Sequence, residues 1–204
     1  MKNPTIVLFA SVVCVLASGA GAVLSVVDFG TEFAGYTLDG SLLEADFDVG
    51  NISGVSARSA AYTNGSEYVY LYQIDNDSPV TLRAFAVSAF SNLSEEASIG
   101  YLNGSEPEGF DTDGVVPLLV DISDNITNPT ASFDFPFYGE VGAFASGLTS
   151  AVMYIESDLP PNWISGHVID GGVAFGPIVG PLPEPVTMAL LGIGGLCLRI
   201  RKRR

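Results

Sequence analysis

Cysteine is nearly absent from this 204-residue chain, and its two copies, Cys14 and Cys197, lie close to the ends. The stretch between Val23 and Pro183 has none, so it folds without disulfides and rests on its own apolar core. Basic side chains are almost as scarce. Of the 8 Lys and Arg residues, only Arg58 and Arg83 fall in that stretch, against 22 Asp and Glu, which leaves the body near −20. A surface of that sign lacks the cations that phosphates need, which excludes nucleic acid as a partner and argues against anionic lipid surfaces. Histidine occurs once, at His167. That count excludes His-rich zinc or iron sites and leaves a Ser-His-Asp triad only one residue to serve as base. No Gly-x-Ser-x-Gly elbow accompanies it. Tryptophan also occurs once, at Trp163 beside Pro160-Pro161-Asn162. A lone tryptophan reads first as core or turn packing, with sugar stacking as the sharper alternative.

Long 3.6-residue periodicity is missing as well. In its place, short runs of Val, Ile, Tyr and Phe alternate with Gly, Ser, Asn and Asp. In Tyr68-Val69-Tyr70-Leu71-Tyr72-Gln73-Ile74, the tyrosines and Ile74 share one face of a strand. The turn Asp75-Asn76-Asp77-Ser78-Pro79 and the run Val80 to Phe90 complete an expected hairpin over 68–90. Further strands are expected over 24–29, 42–47, 115–122, 131–138, 151–156 and 166–169. Pro136 places the 131–138 strand at an edge or a bulge. Short helices are expected near 57–62 and 91–97. The fold class is all-β, an antiparallel β-sandwich of jelly-roll or immunoglobulin-like type, over residues 23–175.

The body offers no catalytic constellation, and the expectation is a protein that is not an enzyme. Carboxylates are abundant, but nothing local picks out a glycosidase pair. The one cofactor the sequence suggests is Ca²⁺. Glu106, Glu108, Asp111 and Asp113 crowd hard oxygen ligands into a short loop, although the pattern is not that of an EF-hand. Asp75-Asn76-Asp77 and the pair Asp121 and Asp124 are shorter acidic turns. Asn-x-Ser/Thr sequons at Asn51, Asn64, Asn76, Asn92, Asn103 and Asn125 read as polar turn sequences.

The ends carry a different message. Lys2, the apolar run Ile6 to Leu16 and the small residues Ala20-Gly21-Ala22 form a secretory signal peptide over 1–22, cleaved at Ala20 or Ala22. Cys14 sits too early for a lipobox. At the other end, residues 176–185 have the Gly/Pro content of a linker. Pro183 and Pro185 hold Glu184 extended and exposed. Val186 to Leu198 is an apolar run of thirteen residues, a helix of about 20 Å against a hydrocarbon core of roughly 30 Å. Arg199, Arg201, Lys202, Arg203 and Arg204 then fix the cytoplasmic side. The expectation is a short transmembrane helix with a basic tail over 186–204. Cys197 within it reads as a small apolar filler.

Pro183-Glu184-Pro185, the run from Thr187 to Leu196 and the terminal arginines together resemble a PEP-CTERM sorting domain, over about residues 181–204. Val186 stands where that family usually has alanine or serine, and Cys197 interrupts its aliphatic run. The tyrosine-rich 68–74 strand and Asp170 to Pro177 are also similar to segments of PEP-CTERM ectodomains. The resemblance implies a protein of a Gram-negative-type bacterium, exported by the Sec machinery and inserted transiently in the inner membrane. An exosortase-type membrane protease would cut it near the Pro-Glu-Pro motif. It would then reach the cell surface, outer envelope or extracellular matrix, where such bacteria commonly make polysaccharide. The expected role is structural or adhesive. The alternative is a carbohydrate-binding module, Ca²⁺-assisted or not, that engages exopolysaccharide.

Overall fold

The computed structural model describes residues 24–88, 98–123 and 130–181. The expected signal peptide, the 91–97 helix, the sorting motif, the apolar run and the basic tail lie outside the described residues. Among the described residues, no helix is long and apolar enough to cross a membrane.

The elements in order are β1 (Ser25–Val27), α1 (Phe29–Glu32), β2 (Thr37–Asp46), β3 (Val49–Gly50), β4 (Val55–Thr63), β5 (Tyr68–Asn76), β6 (Ala84–Ser88), β7 (Ile99–Leu102), β8 (Leu119–Ser123), β9 (Thr130–Asp134), β10 (Leu148–Thr149), β11 (Met153–Ser157), β12 (Pro161–Ile169) and β13 (Val173–Pro181). They form two sheets, as an all-β sandwich requires. The first, sheet A, runs β1-β7-β11-β5-β4-β2, with β10 also on β5. The second, sheet B, runs β3-β13-β12-β6-β9-β8. Pairing between these strands is antiparallel except between β1 and β7, and an isolated bridge, Val115↔Ser150, is also parallel. Phe47, Tyr70, Tyr72, Ile74, Phe85 and Phe133 meet in the core between the sheets.

The strand expected at an edge or a bulge over 131–138 is β9, which lies between β6 and β8 and ends at Asp134, before Pro136. Three further expectations give way. The segment 57–62 is strand β4, not a helix. Its alanines favour helix in isolation, but β4 is buried on both faces. Ala57 and Ala61 face the sandwich core and Ala60 faces a second core outside it. Small side chains are what fit there.

The 68–90 hairpin does not form, because β5 and β6 lie in different sheets. The partner of β5 is β4, from Thr63↔Tyr68 to Val55↔Asn76. Their turn uses Asn64-Gly65: Asn64 Oδ1 accepts from the Ser66 and Glu67 amides at 2.9 and 3.0 Å, and Gly65 takes φ +93. The 75–79 segment instead carries the chain across the sandwich. Asn76 is buried there and donates to the Val80 and Phe144 carbonyls, both at 3.0 Å. Its Oδ1 accepts from the Ser78 hydroxyl.

The third correction concerns 176–185. Residues 176–181 are the second half of β13, paired with β12 as far as Pro181↔Pro161, and are not a linker. The prolines and glycines that suggested a linker occupy alternate positions with different reasons. Pro177 and Pro181 stand where β13 directs its amides away from β12, so no ladder bond is lost. Between them, the Val179 amide is taken by Ser59 Oγ of β4 at 3.0 Å. Further back, the Val173 amide is taken by Asn51 Oδ1 at 2.8 Å. The glycines point inward. Gly176 faces Gly166 across the ladder, and the buried Phe47 ring lies over both; a Cβ at Gly176 would overlap it. A Cβ at Gly180 would overlap Ile164.

Candidate functional site

The outer face of sheet A holds the acidic loop. Val69 and Leu71 point outward from β5, yet both are fully buried. Phe33 and Phe110 cover them from outside the strands, with Tyr154 of β11 and Leu102 of β7 beside them on the same face, and together they form a second core. Its parts are anchored at α1, where Asp28 caps the helix by accepting from the Thr31 amide at 2.9 Å. Hydrogen bonds from Ser105 and Thr31 hold the Asp28 carboxyl below its usual range. Phe110, within the acidic loop, packs that loop against the sheet.

Beside it stands Arg58. Its Nη2 donates to both oxygens of Asp75, at 3.0 and 2.9 Å, and to Asp111 Oδ2 at 2.6 Å. Nη1 donates to the Gly109 carbonyl at 3.2 Å. Arg58 and Asp75 sit diagonally across the β4–β5 ladder, within reach of long side chains. The buried Gln73 completes the attachment: its Oε1 accepts from the Asp111 amide at 2.9 Å and its Nε2 donates to the Asp111 carbonyl at 2.8 Å. Thr149 Oγ1 donates to Asp75 at 2.6 Å. Two carboxylates thus share one guanidinium, and the loop is stitched down by charge and by an amide that acts as a surrogate strand.

The four candidate Ca²⁺ ligands are divided by this arrangement. Glu106, Asp111 and Asp113 line a surface recess of about 270 Å³ together with Asn103 and Gly114. Glu108 is exposed and lies outside that lining; burial first, and the nearby Glu108 charge second, raise the pKa of the Tyr62 hydroxyl. Asp111 is held by Arg58. Glu106 Oε1 accepts from the Gly104 amide at 3.1 Å, while its Oε2 is buried without a partner. Among the described residues, no three His, Cys, Asp or Glu side chains come together as a metal shell. Arg58 and Gln73 were not singled out by sequence reading. The signal that finds Arg58 is scarcity, since one of two cations in a body with 22 acids is drawn to carboxylates.

Sheet B has the other candidates. Trp163 is not packed in the core or a turn: it projects from the outer face and is 66% exposed. The reason is parity. Ile164, Gly166 and Val168 of β12 point inward, so Trp163, Ser165, His167 and Ile169 point out. His167 Nε2 lies 3.0 Å from Ser88 Oγ, and its ring meets Phe175 edge-on, 4.6 Å between centroids. Burial pushes the imidazole below its ordinary value. Its partners across the ladder are Ala86 and Phe175, which supply no charge to orient it as a base. Arg83, the second cation, lies 4.5 Å over the Phe137 ring.

Comparison of the chain with protein-family models, with curated proteins and with solved structures finds no match in any of the three.

Proposed function

We propose that this chain is an exported surface or matrix protein whose sandwich has a structural or adhesive role, and whose C-terminal segment is a sorting signal. The observation that supports this reading is how far the described sheet extends toward the motif. β13 is described as far as Pro181, two positions before Pro183-Glu184-Pro185, so a protease acting at the motif removes the apolar run and basic tail and leaves every described strand intact. In this reading the signal peptide directs Sec export. The run 186–198 then holds the chain in the inner membrane, and an exosortase-type protease cuts at the motif.

The test is fractionation of cells that contain such a protease, with one tag inserted between Glu140 and Val141 and a second after Arg204. Val141 is fully exposed, so the first tag leaves the sheets untouched. The expected result is separation of the tags, the first in the envelope or medium. Both tags on one inner-membrane species would overturn the sorting reading.

A second reading, a carbohydrate-binding module, draws support from the exposed ring of Trp163, since sugars stack on accessible aromatic faces. A glycan array with the full chain tests it, and an array without signal removes it. Calorimetric titration with Ca²⁺ tests the calcium-assisted form through the recess that Glu106, Asp111 and Asp113 line.

A further inference from the structure

β12 and β13 differ from the rest of the body in charge. From Leu159 to Pro181 the sequence holds one acidic residue, Asp170, and no Lys or Arg. Asp170 sits in the turn at one end of the hairpin. The other end is the pair Pro161↔Pro181, the last described pair of the ladder, and Trp163↔Val179 is two residues in from it. The only tryptophan, two-thirds exposed, therefore lies beside the exit toward the apolar run.

The tether is short. Four residues, Leu182 to Pro185, separate β13 from Val186, and fully extended they reach at most about 14 Å. The headgroup region takes up roughly 5–7 Å of that distance. Any membrane that holds the run 186–198 then has its surface within about 10 Å of the end of the sandwich. A body near −20 is repelled by anionic lipid over most of its surface; the face of β12 and β13 is not.

We propose that, while the chain is anchored, the sandwich leans on the lipid headgroups through the outward face of β12 and β13, with Trp163 seated at the interface. This rests on the membrane reading of the tail. An aromatic ring with an apolar body and one N–H donor suits that depth. Cleavage at the motif then releases the face as well as the tether.

The experiment uses the full chain carrying Cys14→Ser, reconstituted in phosphatidylcholine vesicles. Cys197 is then the only thiol and Trp163 the only tryptophan, so each reports one claim. Protection of Cys197 from a polar maleimide reads the tail. Trp163 emission, with and without brominated lipid, reads the face. The expected result is a protected thiol with blue-shifted emission that bromolipid quenches. A protected thiol with a water-exposed tryptophan overturns this proposal alone and leaves the tail reading standing. A freely labelled thiol overturns both. Blue-shifted emission without bromolipid quenching places Trp163 against protein, and a response to soluble neutral oligosaccharide but not to lipid places it against sugar. Either result also overturns the proposal.

Discussion

Outward-facing residues of the two sheets meet opposite fates. On sheet A, Leu71 points away from the sandwich core and is fully buried in a cluster with Phe33, Phe110 and its strand neighbour Tyr154. On sheet B, Trp163 points away from the same core and is mostly in water. The difference shows what a covering layer does to a sequence. Where both faces are buried, apolar and polar residues stop alternating, as they do in parallel sheets covered on each side. β4 and β5 are such strands. Where one face is open, as along β12, the alternation survives.

The comparison can be broken by truncating each side. Leu71→Ala should cost about 3 kcal/mol of unfolding free energy, as fully buried leucines do. Chemical denaturation measures it, and a cost under about 1 kcal/mol would mean that the outer layer of sheet A is not a packed core. Gly176→Ala tests the inner side of sheet B. The added methyl meets the Phe47 ring, and a destabilisation of about 2 kcal/mol is expected from overpacking. Phe47→Leu in the same chain should recover part of it; an unaffected single variant would contradict the close packing.

Arg58→Ala sharpens the comparison on sheet A, because the outer layer there is fastened by charge as well as packed. With Asp111 largely exposed, the expected loss is modest, about 1–2 kcal/mol. It should shrink in high salt, and faster proteolysis within 103–114 than in the parent chain should accompany it. His167 gives a smaller, pH-dependent effect on sheet B. Its folded pKa lies below 6.5 because of burial, so the unfolded chain takes up a proton first as pH falls. Stability is full above about 6.5 and declines below it. His167→Gln should remove that decline, a matter of less than about 2 °C in Tm at pH 5. Trp163→Ala should change stability least, by under about 0.5 kcal/mol; a loss near that of Leu71→Ala would show that the face is covered after all.

The legibility of the fold follows the same division. The tyrosine-rich β5 announced itself through β-propensity, and its facing pattern was right, with Tyr70, Tyr72 and Ile74 in the sandwich core. β4 did not, because burial on two sides selected alanine, which reads as helix. Its hairpin turn, Asn64-Gly65, was readable in principle but had no strand before it in the sequence reading. The arch at 75–79 has the residues of a tight turn. Only the burial of Asn76, bonded to Phe144 a long way off in sequence, separates the two outcomes. The acidic loop was found by composition, whereas its attachment depends on Arg58 and Gln73, each brought to it from a strand about forty or fifty residues earlier.

β13 ties the last described strand to some of the earliest. It pairs with β3, covers Phe47, and takes Asn51 and Ser59 as partners for its amides. The order of synthesis therefore matters. A ribosome delivers β13 after every other described strand, and until Pro181 is available sheet B lacks the strand between β3 and β12. Long-range pairings of this kind delay folding, so the sandwich can close only after nearly all of its described strands have been made.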